Sequence, residues 1–91
     1  MLIKNWIQEH VSFNYINFEI LCRKLLARAR KTNYETSENE IRIMLERLIS
    51  EDKVEACQFL AEDRRYSPTI YDKRNIYWYW FKSKSTQADK S

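Results

Sequence analysis

The sequence predicts a single small α+β domain in which three helices are followed by two antiparallel strands. Apolar residues recur every three or four positions in three successive segments up to residue 50, and an extended pattern then replaces this helical period. The length of 91 residues is typical of one domain, and an apolar fraction of 44% is ordinary for a globular protein.

Each of the three helical segments has one apolar face and a recognisable start. The first covers about residues 2–10. The second runs from Phe18 to Lys31, and Asn17 is its expected N-cap because an Asn side chain can accept from the first free backbone amides. The third begins after Ser37, which forms a capping-box pattern with Glu40, and ends near residue 50.

Two extended segments complete the predicted domain. Lys53–Ala61 and Asn75–Phe81 are predicted strands, and the charged segment 62–74 between them is a predicted loop. The chain contains no glycine, which excludes Gly-rich phosphate-binding loops and favours a longer turn in any hairpin. We expect the domain to span residues 1–81 and residues 82–91 to form a disordered basic tail.

The two cysteines and the hydropathy pattern indicate an intracellular protein. Cys22 and Cys57 lie among apolar residues and form no Cys-x-x-Cys pair, so they are predicted to be buried, reduced thiols. No apolar run is long enough to span a membrane, and the N-terminus lacks the features of a signal peptide. These features predict a cytoplasmic or nuclear protein without a membrane partner.

The sequence contains no recognisable catalytic or metal-binding pattern. His10 is the only histidine, and no residues with metal-ligand spacing surround it. No flanking signature supports Cys22 or Cys57 as a nucleophile paired with this histidine. The expectation is a non-enzymatic protein without a metal, a cofactor or a small-molecule substrate.

The region from Ser37 onward resembles the winged-helix superfamily. A capped helix with the pattern Ile-x-x-Met-Leu-x-x-Leu-Ile leads into a strand at Val54, and a charged loop and the segment Ile76–Phe81 follow. The resemblance covers about residues 2–81. It implies that the third helix packs on the first two and that the two strands form a hairpin, the wing.

A shorter stretch also resembles the C-terminal winged-helix domain of cullins. It consists of Leu-Ile-Ser-Glu-Asp-Lys-Val-Glu followed by Ile-Tyr-Trp-Tyr. The helix that carries the modified lysine in that family has no counterpart here, and the wing loop is longer. This resemblance implies a protein-interaction domain.

Charge divides the chain into three parts with different implications for nucleic-acid binding. Residues 1–31 carry a net charge of +4, residues 32–63 of −6 and residues 64–91 of +5. The third helix is the usual reader of the major groove in winged-helix DNA binders, and DNA phosphates repel an acidic surface. Its outward face nevertheless carries Asn39, Arg42 and Arg47, which are residue types that read base edges.

The first functional hypothesis is a winged-helix module that binds nucleic acid, with double-stranded DNA as the expected partner. The basic residues at the end of the second helix and in the wing would contact phosphates, and the outward face of the third helix would approach the bases. The phosphate-contacting candidates are Arg28, Arg30, Lys31, Arg64, Arg65, Lys73 and Arg74.

The alternative hypothesis is a winged-helix domain that binds a protein partner or a second copy of itself. In an extended segment, Ile76, Trp78 and Trp80 would share one face, and Tyr77, Tyr79 and Phe81 the other. A two-stranded wing has little to cover the second aromatic face. Together with Ile43, this face would form an interface, since aromatic residues are enriched at interface centres.

Overall fold

The computed structural model describes residues 2–84. Its elements in chain order are α1 (Leu2–Phe13), β1 (Ile16–Asn17), α2 (Phe18–Lys31), α3 (Glu38–Ser50), β2 (Val54–Leu60), β3 (Arg65–Pro68), a 3-10 helix (Lys73–Trp78) and β4 (Trp80–Ser83). None of the helices within these residues is long and apolar enough to cross a membrane. Residues 82 and 83 of the expected tail belong to β4, and residues 85–91 lie outside the described residues.

The four strands form one antiparallel sheet in the order β1–β4–β2–β3. β4 is therefore central, although it comes last in the chain. Its residue Phe81 pairs with Ile16 of β1 on one side and with Ala56 of β2 on the other. Paired residues share a sheet face, so these three side chains all point to the helices, and each of them is buried.

The core lies between the three α-helices and this face of the sheet. The three helices all contact one another, and α1 and α3 also pack on the sheet, α1 against β4 and α3 against β2. The apolar stripes expected from the sequence are buried, including Ile7 in α1, Leu21 and Leu25 in α2, and Leu45 and Leu48 in α3, all at 0% exposure. The predicted small α+β fold class is confirmed, but residues 2–84 form four helices, counting the 3-10 helix, and a four-stranded antiparallel sheet in place of three helices and a two-stranded wing.

Side-chain caps begin two of the helices where the sequence predicts them. The Asn17 Oδ1 atom accepts a hydrogen bond from the Ile20 amide at 2.8 Å. The Ser37 Oγ atom accepts one from the Glu40 amide at 3.2 Å. Each bond satisfies a backbone donor that has no partner within its helix.

The predicted strand over Asn75–Phe81 is wrong in its first part, which is a 3-10 helix. Asp72 caps this helix by accepting from the Arg74 amide at 3.0 Å. Residues three apart lie on the same side of a 3-10 helix. Ile76 of this helix and Tyr79, the extended residue that ends it, are buried, whereas Tyr77 and Trp78 are exposed, so the alternating faces expected for an extended segment do not exist.

The segment predicted as a loop over residues 62–74 contains β3. This strand pairs with β2 from Leu60↔Arg65 to Cys57↔Pro68, which makes β2–β3 the hairpin that follows α3. The turn Ala61–Arg64 has the greater length expected of a chain without glycine, and Arg64 adopts a left-handed conformation with φ 52°. Pro68 lies on the edge strand, where its missing N–H removes no bond needed by a further strand.

Candidate nucleic-acid interface

Arg28 is one predicted phosphate-contacting residue that already has partners inside the domain. Its Nη1 atom lies 2.9 Å from the Glu9 carboxylate of α1. Its guanidinium also lies over the Trp6 ring, 4.6 Å from the ring centre. Both contacts join α2 to α1, so this arginine has a structural role that accounts for its position.

Two further predicted cations pair with a neighbouring carboxylate. Arg74 donates to both oxygens of Asp72, with the closest approach 2.8 Å, and this hydrogen bond lowers the pKa of the Asp72 carboxyl. The Arg65 Nε atom lies 3.3 Å from Asp63. Both pairs are local and exposed, so they leave the guanidinium groups within reach of an external anion.

The outward face of α3 brings two of its predicted base-contacting residues together. Arg42 donates to Glu46 at 3.3 Å and to the side-chain oxygen of Asn39 at 2.5 Å. A guanidinium has five N–H donors, so these bonds orient Arg42 and leave donors for another acceptor. Arg47, on the same helix, is exposed and has no ion pair among residues 2–84.

The other predicted cations have no acidic partner within 4.0 Å in the described part of the chain. They are exposed and lie on four elements rather than in one cluster: Arg30 and Lys31 at the end of α2, Arg47 on α3, Arg64 in the hairpin turn and Lys73 at the start of the 3-10 helix. The interface predicted from the sequence is therefore a spread of separate positive groups.

Many acidic residues of the negative segment 32–63 are already engaged. Glu46 accepts hydrogen bonds from Arg42 and from the Tyr71 hydroxyl, the latter at 2.7 Å. Burial is the main cause that raises the pKa of Tyr71, and the hydrogen bond to Glu46 raises it further. The remaining contacts of this kind are Tyr77 with Glu38, Lys4 and Lys53 with Glu51, Lys84 with Asp52, and Arg65 with Asp63. Several of the partners come from outside the segment, so its formal charge overstates the negative field that a ligand would meet.

The β2–β3 hairpin extends past the end of β4 and leaves a cleft beside it. β4 pairs with β2 only as far as Cys57↔Trp80, whereas the hairpin continues to Leu60. The cleft between the hairpin and the 3-10 helix has a volume of about 400 Å³. We call it the hairpin cleft, and it is lined by Gln58, Phe59, Thr69, Asn75, Trp78, Tyr79 and Trp80.

Aromatic rings cover the sheet face that is turned away from the helices. Tyr66 is at their centre: it stacks on Tyr15 at 3.9 Å and packs against Phe59 at 5.1 Å and Trp80 at 5.6 Å between ring centres. The Cys57 thiol is buried in this layer, and burial raises its pKa to about 11. This layer and the hairpin cleft depend on β3 and the 3-10 helix, so sequence patterns alone could not locate them.

The protein-interface residues expected from the sequence divide into exposed and buried pairs. Ile43 and Tyr77 are exposed at 48% and 58%, but Tyr79 and Phe81 are buried at 8% and 0%. The assignment of Tyr79 and Phe81 to a surface is wrong. Phe81 lies in β4 between β1 and β2, and the helices cover its side of the sheet, whereas Tyr79 precedes β4 and packs against Tyr71 and Phe81. Three further large apolar side chains are exposed although no sequence pattern marked them as surface residues: Phe13, Ile70 and Trp78.

A second groove lies between α1 and α3, and we call it the α1–α3 groove. It includes Ile43, one of the two exposed residues expected at a protein interface. Its volume is about 330 Å³, and its lining combines apolar side chains with one acidic and one basic group. The lining residues are Ile3, Tyr34, Glu40, Ile43, Met44 and Arg47. This groove could accept an apolar side chain of a partner, and it shares Arg47 with the outward face of α3.

Residues 2–84 contain no group of three or more His, Cys, Asp or Glu side chains placed to hold a metal ion. Burial also raises the pKa of the Cys22 thiol to about 12, so neither thiol has the lowered pKa of a nucleophilic cysteine.

Comparisons of the chain with protein-family models, with curated proteins and with solved structures found no match.

Proposed function

We propose that this chain is a winged-helix-type domain that binds double-stranded DNA inside the cell and has no enzymatic activity. The arrangement of elements supports this proposal. α3 packs against both α1 and α2, and β2, which follows α3, pairs antiparallel with β4, as the resemblance implies for the two strands of a wing; β3 lies in the connection between them. A helix of this kind is suited to the major groove, and a hairpin beside it to the flanking backbone.

The observation that carries the proposal is how charges are paired across the domain. Five of the nine carboxylates of segment 32–63 engage partners within the protein, whereas four cations on α2, α3 and the hairpin turn have no acidic partner within 4.0 Å among residues 2–84: Arg30, Lys31, Arg47 and Arg64. Binding to DNA depends on cations that are free to replace the counterions around phosphates. The pairing pattern leaves such cations available and offsets the objection raised by the formal charge of the α3 region.

In the proposed complex, α3 contributes Arg47 and the oriented Arg42 to the major groove. Arg64, at the tip of the hairpin, and Arg30 and Lys31, at the end of α2, contact the phosphate backbone. Asn39 holds the Arg42 guanidinium in this mode rather than contacting a base on its own.

A salt titration of binding to a random-sequence duplex tests the proposal. The logarithm of the affinity should fall linearly with the logarithm of the salt concentration, with a slope of about 0.9 for each phosphate neutralised. Arg47→Ala and Arg64→Ala should each weaken binding, and the variant that loses a phosphate contact should have a slope lower by about that amount. Arg23→Ala is the matched control, because Arg23 is exposed but paired with Glu19.

An absence of binding at low salt would overturn the proposal. Equal losses in Arg47→Ala, Arg64→Ala and Arg23→Ala would contradict the assigned interface, because they would reflect net charge alone.

The α1–α3 groove favours a second candidate function, the binding of a protein partner. Ile43 is 48% exposed at the edge of this groove, where a partner's apolar side chain could be buried. Ile43→Ser should then abolish partner binding or self-association, measured by co-purification or analytical ultracentrifugation, and leave DNA binding unchanged. The opposite result, with DNA binding lost and association retained, would assign Ile43 to the DNA-facing surface of α3.

A further inference from the structure

The hairpin cleft combines flat aromatic rings with neutral hydrogen-bonding groups. Phe59, Trp78 and Trp80 provide the rings. The side chains of Gln58, Thr69 and Asn75 provide donors and acceptors. None of these three side chains has a hydrogen-bond partner among residues 2–84. No charged side chain lines the cleft. This lining matches the two needs of a nucleobase, which are stacking on its face and hydrogen bonding at its edge.

The rings of the cleft differ in how firmly they are held. Tyr66 packs against both Phe59 and Trp80 from the outer face of the sheet, so these two rings are supported within the folded domain. Trp78 is 80% exposed and has no ring contact with another aromatic residue in the described chain. A fixed wall opposite an exposed ring can accept a flat group without first reorganising the domain.

Cations without an acidic partner lie on both sides of the cleft. The hairpin turn contains Arg64 and Arg65 but also Glu62 and Asp63, and Lys73 and Arg74 follow Asp72. Arg65 pairs with Asp63 and Arg74 with Asp72, whereas Arg64 and Lys73 have no acidic partner within 4.0 Å among residues 2–84. Lys73 and Arg74 begin the 3-10 helix that forms one side of the cleft, and Arg64 is at the tip of the hairpin that forms the other. A base within a neutral cleft would leave its own phosphates among these cations.

We propose that the hairpin cleft binds an unpaired base of DNA, such as one in a single-stranded overhang next to a duplex. Phe59, Trp78 and Trp80 stack with the base, and Gln58, Thr69 and Asn75 hydrogen bond to its edge. The proposal rests on the proposed function, since the duplex-binding surface holds the DNA from which the overhang extends. It adds a preference for a DNA end or junction over a continuous duplex.

The experiment compares three DNA ligands of the same duplex sequence by fluorescence anisotropy. One is blunt, one carries a short thymidine overhang, and one carries an abasic overhang of the same length. The wild-type protein should bind the thymidine overhang more tightly than the other two. Trp78→Ala should weaken this binding by roughly tenfold or more, because stacking on an aromatic residue contributes that much per base, and should not change binding to the blunt or abasic ligands.

Phe13→Ala is the matched control, because Phe13 is also 80% exposed and does not line the cleft. It should bind all three ligands like the wild type. Equal wild-type affinity for the thymidine and abasic overhangs would overturn the base-binding proposal and leave the proposed duplex binding intact. Preference for the thymidine overhang without affinity for the blunt duplex would support base binding in the cleft and overturn the proposed duplex binding. If Trp78→Ala weakens all three ligands alike, the cleft does not read a base.

Discussion

His10 is a half-buried titratable group whose protonation should affect stability. It lies near the end of α1, and its Nε2 atom is buried without a hydrogen-bond partner in the part of the chain that is described. Burial lowers its pKa below the ordinary value of 6.5, and the nearby cations Arg28 and Lys24 lower it further against the smaller opposite effect of Glu9. These surroundings therefore favour the neutral imidazole over the charged one.

The unfolded chain should take up a proton at His10 more readily than the folded domain. The free energy of unfolding should therefore be unaffected by this group above its ordinary pKa of 6.5 and should fall as the pH drops toward the lower folded value. Urea unfolding at neutral and mildly acidic pH measures the effect. The His10→Gln variant should lose this part of the pH dependence, and an unchanged pH profile in that variant would contradict it.

At the level of single residues, the sequence could indicate chemistry but not pairing. It identified Arg28 as a phosphate-contacting candidate from the basic end of the second helix and Arg47 as a base-contacting candidate from the outward face of the third. Only the packing of α1 against α2 places Glu9 and Trp6 around Arg28, and such contacts between distant residues leave no local signal. Tyr79 and Phe81 were misjudged for the same reason, since their burial depends on elements far from them in the chain.

Among the elements, helices were predictable because their signals are local. The Ser37 cap of α3 is an example: its hydroxyl satisfies the Glu40 amide within one helical turn. Ser37→Ala should lower the free energy of unfolding by about 1 kcal/mol, whereas Ser37→Gly should lower it by only a few tenths. Thermal unfolding should separate the two, since about 1 kcal/mol shifts the midpoint by roughly 4–8 °C in a domain of this size. An unchanged free energy of unfolding in Ser37→Ala would indicate that the hydroxyl bond does not stabilise α3.

The strands were less predictable because partners at a distance define them. β1 has two residues, Ile16 and Asn17, and exists only because β4 pairs with it. The segment Asn75–Phe81 is rich in aromatic residues, which favour strands, yet the Asp72 cap and the spacing of Ile76 and Tyr79 select a 3-10 helix. The same spacing leaves Trp78 at the hairpin cleft. The wrong strand prediction for Asn75–Phe81 and the failure to locate the hairpin cleft from the sequence therefore have one cause.

For the whole molecule, residues close together in sequence have opposite roles. Phe81 is fully buried at the centre of the sheet, and Trp78 is 80% exposed. Phe81→Ala should lower the free energy of unfolding by about 3–5 kcal/mol, a large share of the stability of a small domain. Trp78→Ala should change it by less than about 0.5 kcal/mol. Chemical denaturation of both variants tests this contrast, and similar losses in the two would contradict the assigned position of β4.

The central position of β4 has a consequence for how the protein is made. Residues 80–83 complete the sheet between β1 and β2, although they are synthesised last among the elements of residues 2–84. While the ribosome is still adding earlier residues, the apolar faces of the helices lack the strand that closes over them. A nascent chain that stalls before residue 79 would therefore expose its core and be a substrate for chaperones or proteases, and folding would begin only after nearly all of the domain had left the exit tunnel.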